Sequence, residues 1–174
     1  GGQVLLEVGE SKIELRAGFP GTVIQVIPNR GVVIQASGGL VQGVWGNGRI
    51  DSGLMVNLMQ TPATVLIPDH VDVSLRGSVI LGGRIEHLET LQALAELPAR
   101  GLIASSIVPG LLAKAREMRY PILVTDGIGS ISMNSVAYKL LSTNAKREVA
   151  VNAETFDRYS GSRPEIIIPL PASA

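Results

Sequence analysis

The sequence predicts an α/β plus β protein: a small glycine-rich β-barrel or sandwich over residues 1–74, followed by an α/β domain with a mostly parallel sheet over residues 75–174. Three observations predict it. Glycines punctuate short apolar runs throughout the first part, the pattern of a compact β module with tight corners. From about Ser78 onward, continuous apolar runs alternate with segments of helical periodicity, the signature of βαβ units. Finally, apolar residues make up 45% of the chain but aromatics only 3%. The core must therefore be built from Val, Ile, Leu and Ala, which suits strands buried on both faces.

In chain order, Val4–Val8 and Lys12–Arg16 flank Gly9-Glu10-Ser11 as a predicted hairpin. Thr22–Ile27 and Val32–Gln35 follow around the turn Pro28-Asn29-Arg30-Gly31, and Gly38-Gly39 separates them from Leu40–Trp45. Gly46-Asn47-Gly48 then turns into Leu54–Leu58. Val79-Ile80-Leu81 reads as a buried strand ended by Gly82-Gly83, with a helix after it carrying Leu88, Leu91 and Leu94 up to Pro98. Leu102-Ile103-Ala104 is the second strand. Its helix tolerates Pro109 in the first turn and gathers Leu111, Leu112, Ala115 and Met118 on one face. Ile122-Leu123-Val124 is the third strand, and Met133, Val136, Ala137, Leu140 and Leu141 mark a third helix capped by Ser130 or Ser132. Strands over 148–151 and 165–168 close the domain.

Charge narrows the partners. Lys+Arg and Asp+Glu both total 15, so there is no global attraction to nucleic acid or anionic lipid. The absence of cysteine excludes disulfides, thiolate catalysis and zinc-finger-type sites. No apolar run approaches the roughly 18 residues of a membrane span, and no signal peptide opens the chain. The expected location is the cytoplasm. The start at Gly1-Gly2, without a methionine, raises the expectation of a piece of a longer protein.

In parallel sheets, ligands bind beyond the carboxyl ends of the strands. That rule gathers three stretches into one candidate place: Gly82-Gly83-Arg84, Ser105-Ser106, and Asp126-Gly127-Ile128-Gly129-Ser130. Each precedes a helix N-terminus, which favours an anion, and Arg84 adds a bidentate donor. Short βα loops need Gly, Ser and Asp for turns and caps in any such fold, so the same residues also read as purely structural. Asp126-Gly127-Ile128-Gly129 matches half of a dinucleotide fingerprint, but Ser132 stands where the third glycine would fall. His87 is a candidate acid or base beside this cleft, or simply a solvent-facing first-turn residue. Asp69, His70 and Asp72 alternate as a solvated linker does, so no metal site is assigned. Neither a cofactor motif nor a complete catalytic set is present. Trp45 and Arg49, among flexible glycines, form a candidate interaction point; Trp45 fits equally as a plug at one end of the barrel.

Residues 99–124, from Ala99-Arg100-Gly101-Leu102-Ile103 through Ala115-Arg116-Glu117 to Pro121-Ile122-Leu123-Val124, resemble the swivelling β/β/α phosphohistidine domains of phosphoenolpyruvate-utilising enzymes. The resemblance implies a mobile swivel-like domain. It also places the reactive histidine at Gly110 and its preceding serine at Pro109, which argues against a phosphohistidine carrier. Phe19-Pro20-Gly21-Thr22-Val23 through Val32-Val33-Ile34 and Gly43 is similar to small barrel-sandwich and KOW-like modules, which implies a docking or adaptor role. No lysine lies between Gly18 and Gly48, which speaks against a lipoyl or biotinyl carrier.

The leading expectation is a non-catalytic binding module for a protein partner or the rest of a longer chain, with a small-anion site at the strand ends. One alternative is an enzyme or subdomain acting on a phosphorylated or carboxylated small molecule, with Arg84 holding the anion, Asp126 as base or ribose anchor and His87 assisting. The other is an RNA-associated adaptor using Arg30, Trp45 and Arg49, which neutral charge and sparse aromatics count against.

Overall fold

The computed structural model describes residues 3–8, 11–16, 22–27, 31–35, 38–155, 157, 159 and 161–169; up to residue 38 it is the backbone that is described. The chain divides into two compact units, Gly1–Leu40 with Ile167–Ala174, and Val41–Ile166. The boundary expected at residue 74 thus lies inside the larger unit. The cause is long-range pairing: residues 50–57, which read as part of the β module, add in parallel to the strand at 79–85.

In the smaller unit, β1 (Gln3–Val8) and β2 (Ser11–Arg16) form an antiparallel hairpin, with Gln3 opposite Arg16 and Val8 opposite Ser11. A second hairpin joins β3 (Thr22–Ile27) and β4 (Gly31–Gln35), its register shifting between Val23 and Gln25. Gly9-Glu10, Phe19-Pro20-Gly21 and Pro28-Asn29-Arg30, including the candidate contact Arg30, lie outside the described residues.

The remaining strands are β5 (Gly38–Gln42), β6 (Trp45–Gly46), β7 (Ile50–Asn57), β8 (Val79–Ile85), β9 (Gly101–Ile107), β10 (Ile122–Ile128), β11 (Glu148–Asn152) and β12 (Glu165–Pro169). They form one eight-stranded sheet in the order β5-β12-β11-β7-β8-β9-β10-β6. β7, β8, β9 and β10 run parallel, while β11 and β6 flank that run antiparallel. The fold is therefore α/β with a mixed sheet and few helices, rather than a mostly parallel one. Gly38-Gly39, read as a separator, is the start of β5.

The helices are α1 (Leu88–Glu96), α2 (Leu112–Glu117) and α3 (Ser135–Thr143). Leu91 and Leu94 of α1, and Ala115 of α2, pack with Ile80, Leu102, Ala104, Ile122 and Val124 in one apolar core. The alternate strand residues Val79, Leu81, Ile103 and Leu123 are fully buried as well. Both faces of the parallel strands are covered, which is why these runs are continuously apolar. α2 is shorter than expected, because Pro109–Leu111 forms a 3-10 turn ahead of it.

The edge strand β6 is only two residues long, and Asn47 fastens the chain just beyond it. Its Nδ2 donates to the carbonyls of Ala115 (2.9 Å) and Tyr120 (3.0 Å), and its Oδ1 accepts from the Ile122 N–H (3.0 Å). Among the described residues, no helix is long and apolar enough to cross a membrane.

Candidate functional site

The three stretches singled out in the sequence do meet near the carboxyl ends of β8, β9 and β10, but not as three loops. Gly82, Gly83 and Arg84 lie within β8, which continues to Ile85 through two register shifts against β9. The glycines are there because other chain segments come close. A Cβ on Gly82 would lie 2.7 Å from Leu66 Cδ2. One on Gly83 would lie 2.4 Å from the Thr64 carbonyl oxygen, and Gly83 has φ +92°. That approach is a local ladder: Arg84 N–H donates to Thr64 O, and Leu66 N–H to Arg84 O. Gly82 and Gly83 are thus buried packing residues and offer no anion cradle.

Ser105 and Ser106 are likewise inside a strand, β9, and fully buried. Ser106 Oγ accepts from the Ile131 N–H at 2.9 Å, tying the β10–α3 connection to β9. Ser105 Oγ has no hydrogen-bond partner among the described residues.

The charged groups pair with one another. Arg84 reaches Glu86 Oε2 through Nε (3.0 Å) and Nη2 (2.6 Å), with both side chains about a quarter exposed. Hydrogen bonds from Ser130, and then from Arg84, hold the Glu86 carboxyl below its ordinary range. Asp126 accepts from the Asn134 N–H at 3.1 and 3.0 Å, from Asn134 Nδ2 at 3.3 Å, and from Thr125 Oγ1 at 2.6 Å. Asn134, rather than Ser130 or Ser132, caps α3, its Oδ1 accepting from Ala137 N–H at 2.9 Å.

This arrangement leaves little for an added anion. The Asp126 carboxylate already sits beside the N-cap of α3. The N–H groups of Gly129, Ile131, Met133 and Asn134 donate to Ile107 O, Ser106 Oγ, Pro62 O and Asp126. Gly127 lies close under Ile131, where a Cβ would meet Ile131 Cδ1 at 2.8 Å, and Gly129 takes φ +137°. His87 is exposed at the N-cap of α1 and makes no side-chain cap bond. Around these paired groups, Ile128, Ile131 and Val136 remain exposed, Val136 by 76%.

Trp45 and Arg49 belong to another place. Trp45 is half-buried in the edge strand beside β10, packed on the α1/α2 core, with the Arg116 guanidinium 6.0 Å from its ring centroid. It therefore belongs to the sheet, not to a barrel end, and Arg49 is exposed beyond it. Pro109 and Gly110, the positions the phosphohistidine resemblance singles out, sit in the exposed 3-10 turn before α2.

Glu86 and Asn134 were not among the sequence candidates. Asn134 had a readable signal, a good N-cap residue directly before the helical run. Glu86 had none, because its pairing with Arg84, two residues away, follows no motif.

No family model matches the sequence, and neither does any curated protein sequence. Among solved structures, the chain is similar to the RNA-processing inhibitor RraA from Thermus thermophilis, at 14% identity and a TM-score of 0.45, over 78% of this chain and 88% of that one. It is also similar to the S-adenosylmethionine: 2-dimethylmenaquinone methyltransferase from Geobacillus kaustophilus HTA426, at 13% identity and a TM-score of 0.41, over 76% of this chain and 89% of that one. At these TM-scores neither likeness bears on what this chain binds or does.

Proposed function

We propose that the chain is a non-catalytic interaction module of the cytoplasm, which docks a protein partner or another part of a longer chain through its strand-end face. One observation carries the reading: the charged side chains Arg84, Glu86 and Asp126 are already engaged there, while Ile128, Ile131 and Val136 stay exposed within nine residues of chain. Catalysis needs a base or nucleophile free to meet a substrate, and anion binding needs free donors. A self-paired polar frame around apolar side chains instead suits a protein interface, whose centre is apolar and poor in charge. In this reading residues 41–166 act as a swivel-like body, and the N-terminal hairpins belong to a small barrel or sandwich that docks separately.

The test is site-specific photocrosslinking in the producing cells, with benzoylphenylalanine replacing Ile131 or Val136, and exposed Ala113 on α2 as control. The expected result is a discrete protein adduct from positions 131 and 136 that is absent from 113. No discrete adduct, or the same adduct from all three, would overturn the reading. Thermal stabilisation by a phosphorylated metabolite, abolished by Arg84→Ala, would replace it with the small-anion reading.

A further inference from the structure

A second recess lies away from the strand-end face. Because β8 and β9 are parallel, α1 must run back along the sheet between them, so its last turn lies toward the opposite end. There, Ala93, Glu96 and Leu97 face Val71, Asp72 and Val73 across an open cavity of about 230 Å³. Its apolar walls come from Val71, Val73, Ala93 and Leu97, with Val73 79% exposed at the rim. Its two charged lining groups are both carboxylates.

Neither carboxylate has a cationic partner among the described residues. Asp72 accepts from the N–H and hydroxyl of Ser74, capping the 3-10 turn Val73–Leu75, and this keeps the carboxylate fixed at the rim. Glu96 is the last residue of α1, where the helix carbonyls add partial negative charge. The recess therefore combines an apolar floor with an unneutralised negative rim. It is smaller than the roughly 300–1,000 Å³ of metabolite clefts, which matches a single side chain better than a whole small molecule.

We propose that this groove receives a lysine or arginine side chain from a partner polypeptide, its methylene stem on Val71, Ala93 and Leu97 and its cationic head between Asp72 and Glu96. Long basic side chains divide in just this manner, with stem on apolar surface and head toward charge or water. The site is independent of the strand-end reading and survives or fails apart from it.

The test is an amide chemical-shift titration of the full chain with the blocked tripeptides Ala-Arg-Ala, Ala-Lys-Ala and Ala-norleucine-Ala. The basic peptides should shift amides of residues 71–73 and 93–97 in a saturable way, and half a molar salt should weaken them several-fold. The double variant Asp72→Asn, Glu96→Gln should reduce their affinity at least five-fold; asparagine preserves the cap, so the fold is retained. Equal binding of the norleucine peptide would make the groove a purely apolar site. Unchanged affinity in the double variant, or shifts scattered over the surface, would equally overturn the proposal.

Discussion

Asn134 holds Asp126 with two amides at once, its backbone N–H 3.0 Å from Oδ2 and its Nδ2 3.3 Å from both carboxylate oxygens, while its own Oδ1 caps α3. The cap and the end of β10 are thus one unit: the carboxylate orients the asparagine, and the asparagine starts the helix. Asn134→Ala should cost about 0.5–2 kcal/mol from the lost cap. Asp126→Ala should cost a similar amount by releasing the asparagine. A double-mutant cycle in urea should show coupling of at least about 0.5 kcal/mol. Additive effects would mean that the two residues act separately.

Ser105 and Ser106 are neighbours in β9 with opposite expectations. Ser106 Oγ accepts a backbone N–H, and Ser105 Oγ is buried without a partner among the described residues. Ser106→Ala should therefore cost about 0.5–1.5 kcal/mol. Ser105→Ala removes a desolvated hydroxyl, and should be neutral or stabilising by up to about 1 kcal/mol. The denaturant midpoint should fall for Ser106→Ala and hold or rise for Ser105→Ala, and a large loss on Ser105→Ala would show a bonded hydroxyl.

Two glycines should likewise separate. Alanine at Gly83 meets a backbone carbonyl oxygen at a positive φ, whereas at Gly127 it meets the tip of a part-exposed isoleucine. Gly83→Ala should cost about 2–5 kcal/mol, combining a left-handed Cβ penalty of about 1–2 with overpacking of about 1–3. Gly127→Ala should stay within about 1 kcal/mol, because Ile131 Cδ1 can rotate away. Thermal melts of both variants decide this, and equal losses would mean that Gly83 is not pressed against the Thr64 carbonyl.

Local pattern is enough where a strand is buried on both faces. Val79-Ile80-Leu81, Leu102-Ile103-Ala104 and Ile122-Leu123-Val124 announce buried strands by continuous apolarity, and all nine residues are fully buried. The candidate site was harder to read because its residues answer to distant ones. Gly82-Gly83 looks like a strand end, since glycine ends strands, yet it continues one because Thr64 and Leu66 press against it. Ser105-Ser106 looks like a cap, yet Ser106 bonds a connection 25 residues away. Arg84 looks like a free anion donor until Glu86 turns back on it. β6 is two residues long and carries no periodic signal, so only its pairing with Leu123 and Val124 defines it.

Glu165 in β12 is half-buried, and burial first, then the neighbouring Glu154, raises its carboxyl above the ordinary value of 4.5. Unfolding exposes the group and returns it to that ordinary value, so the folded state binds more protons over the interval between the two. The contribution of Glu165 is then fully present below pH 4.5 and is lost as pH rises through the raised folded value. Glu165→Gln mimics the protonated form at every pH. It should be more stable than the parent chain at pH 7, with the gap closing toward pH 4, and Glu154→Gln should act in the same direction but more weakly. Urea unfolding from pH 3.5 to 7.5 measures all three chains. If Glu165→Gln were the less stable at pH 7, the ionised carboxylate would be held by a favourable partner, and the burial cost assigned to it would be refuted.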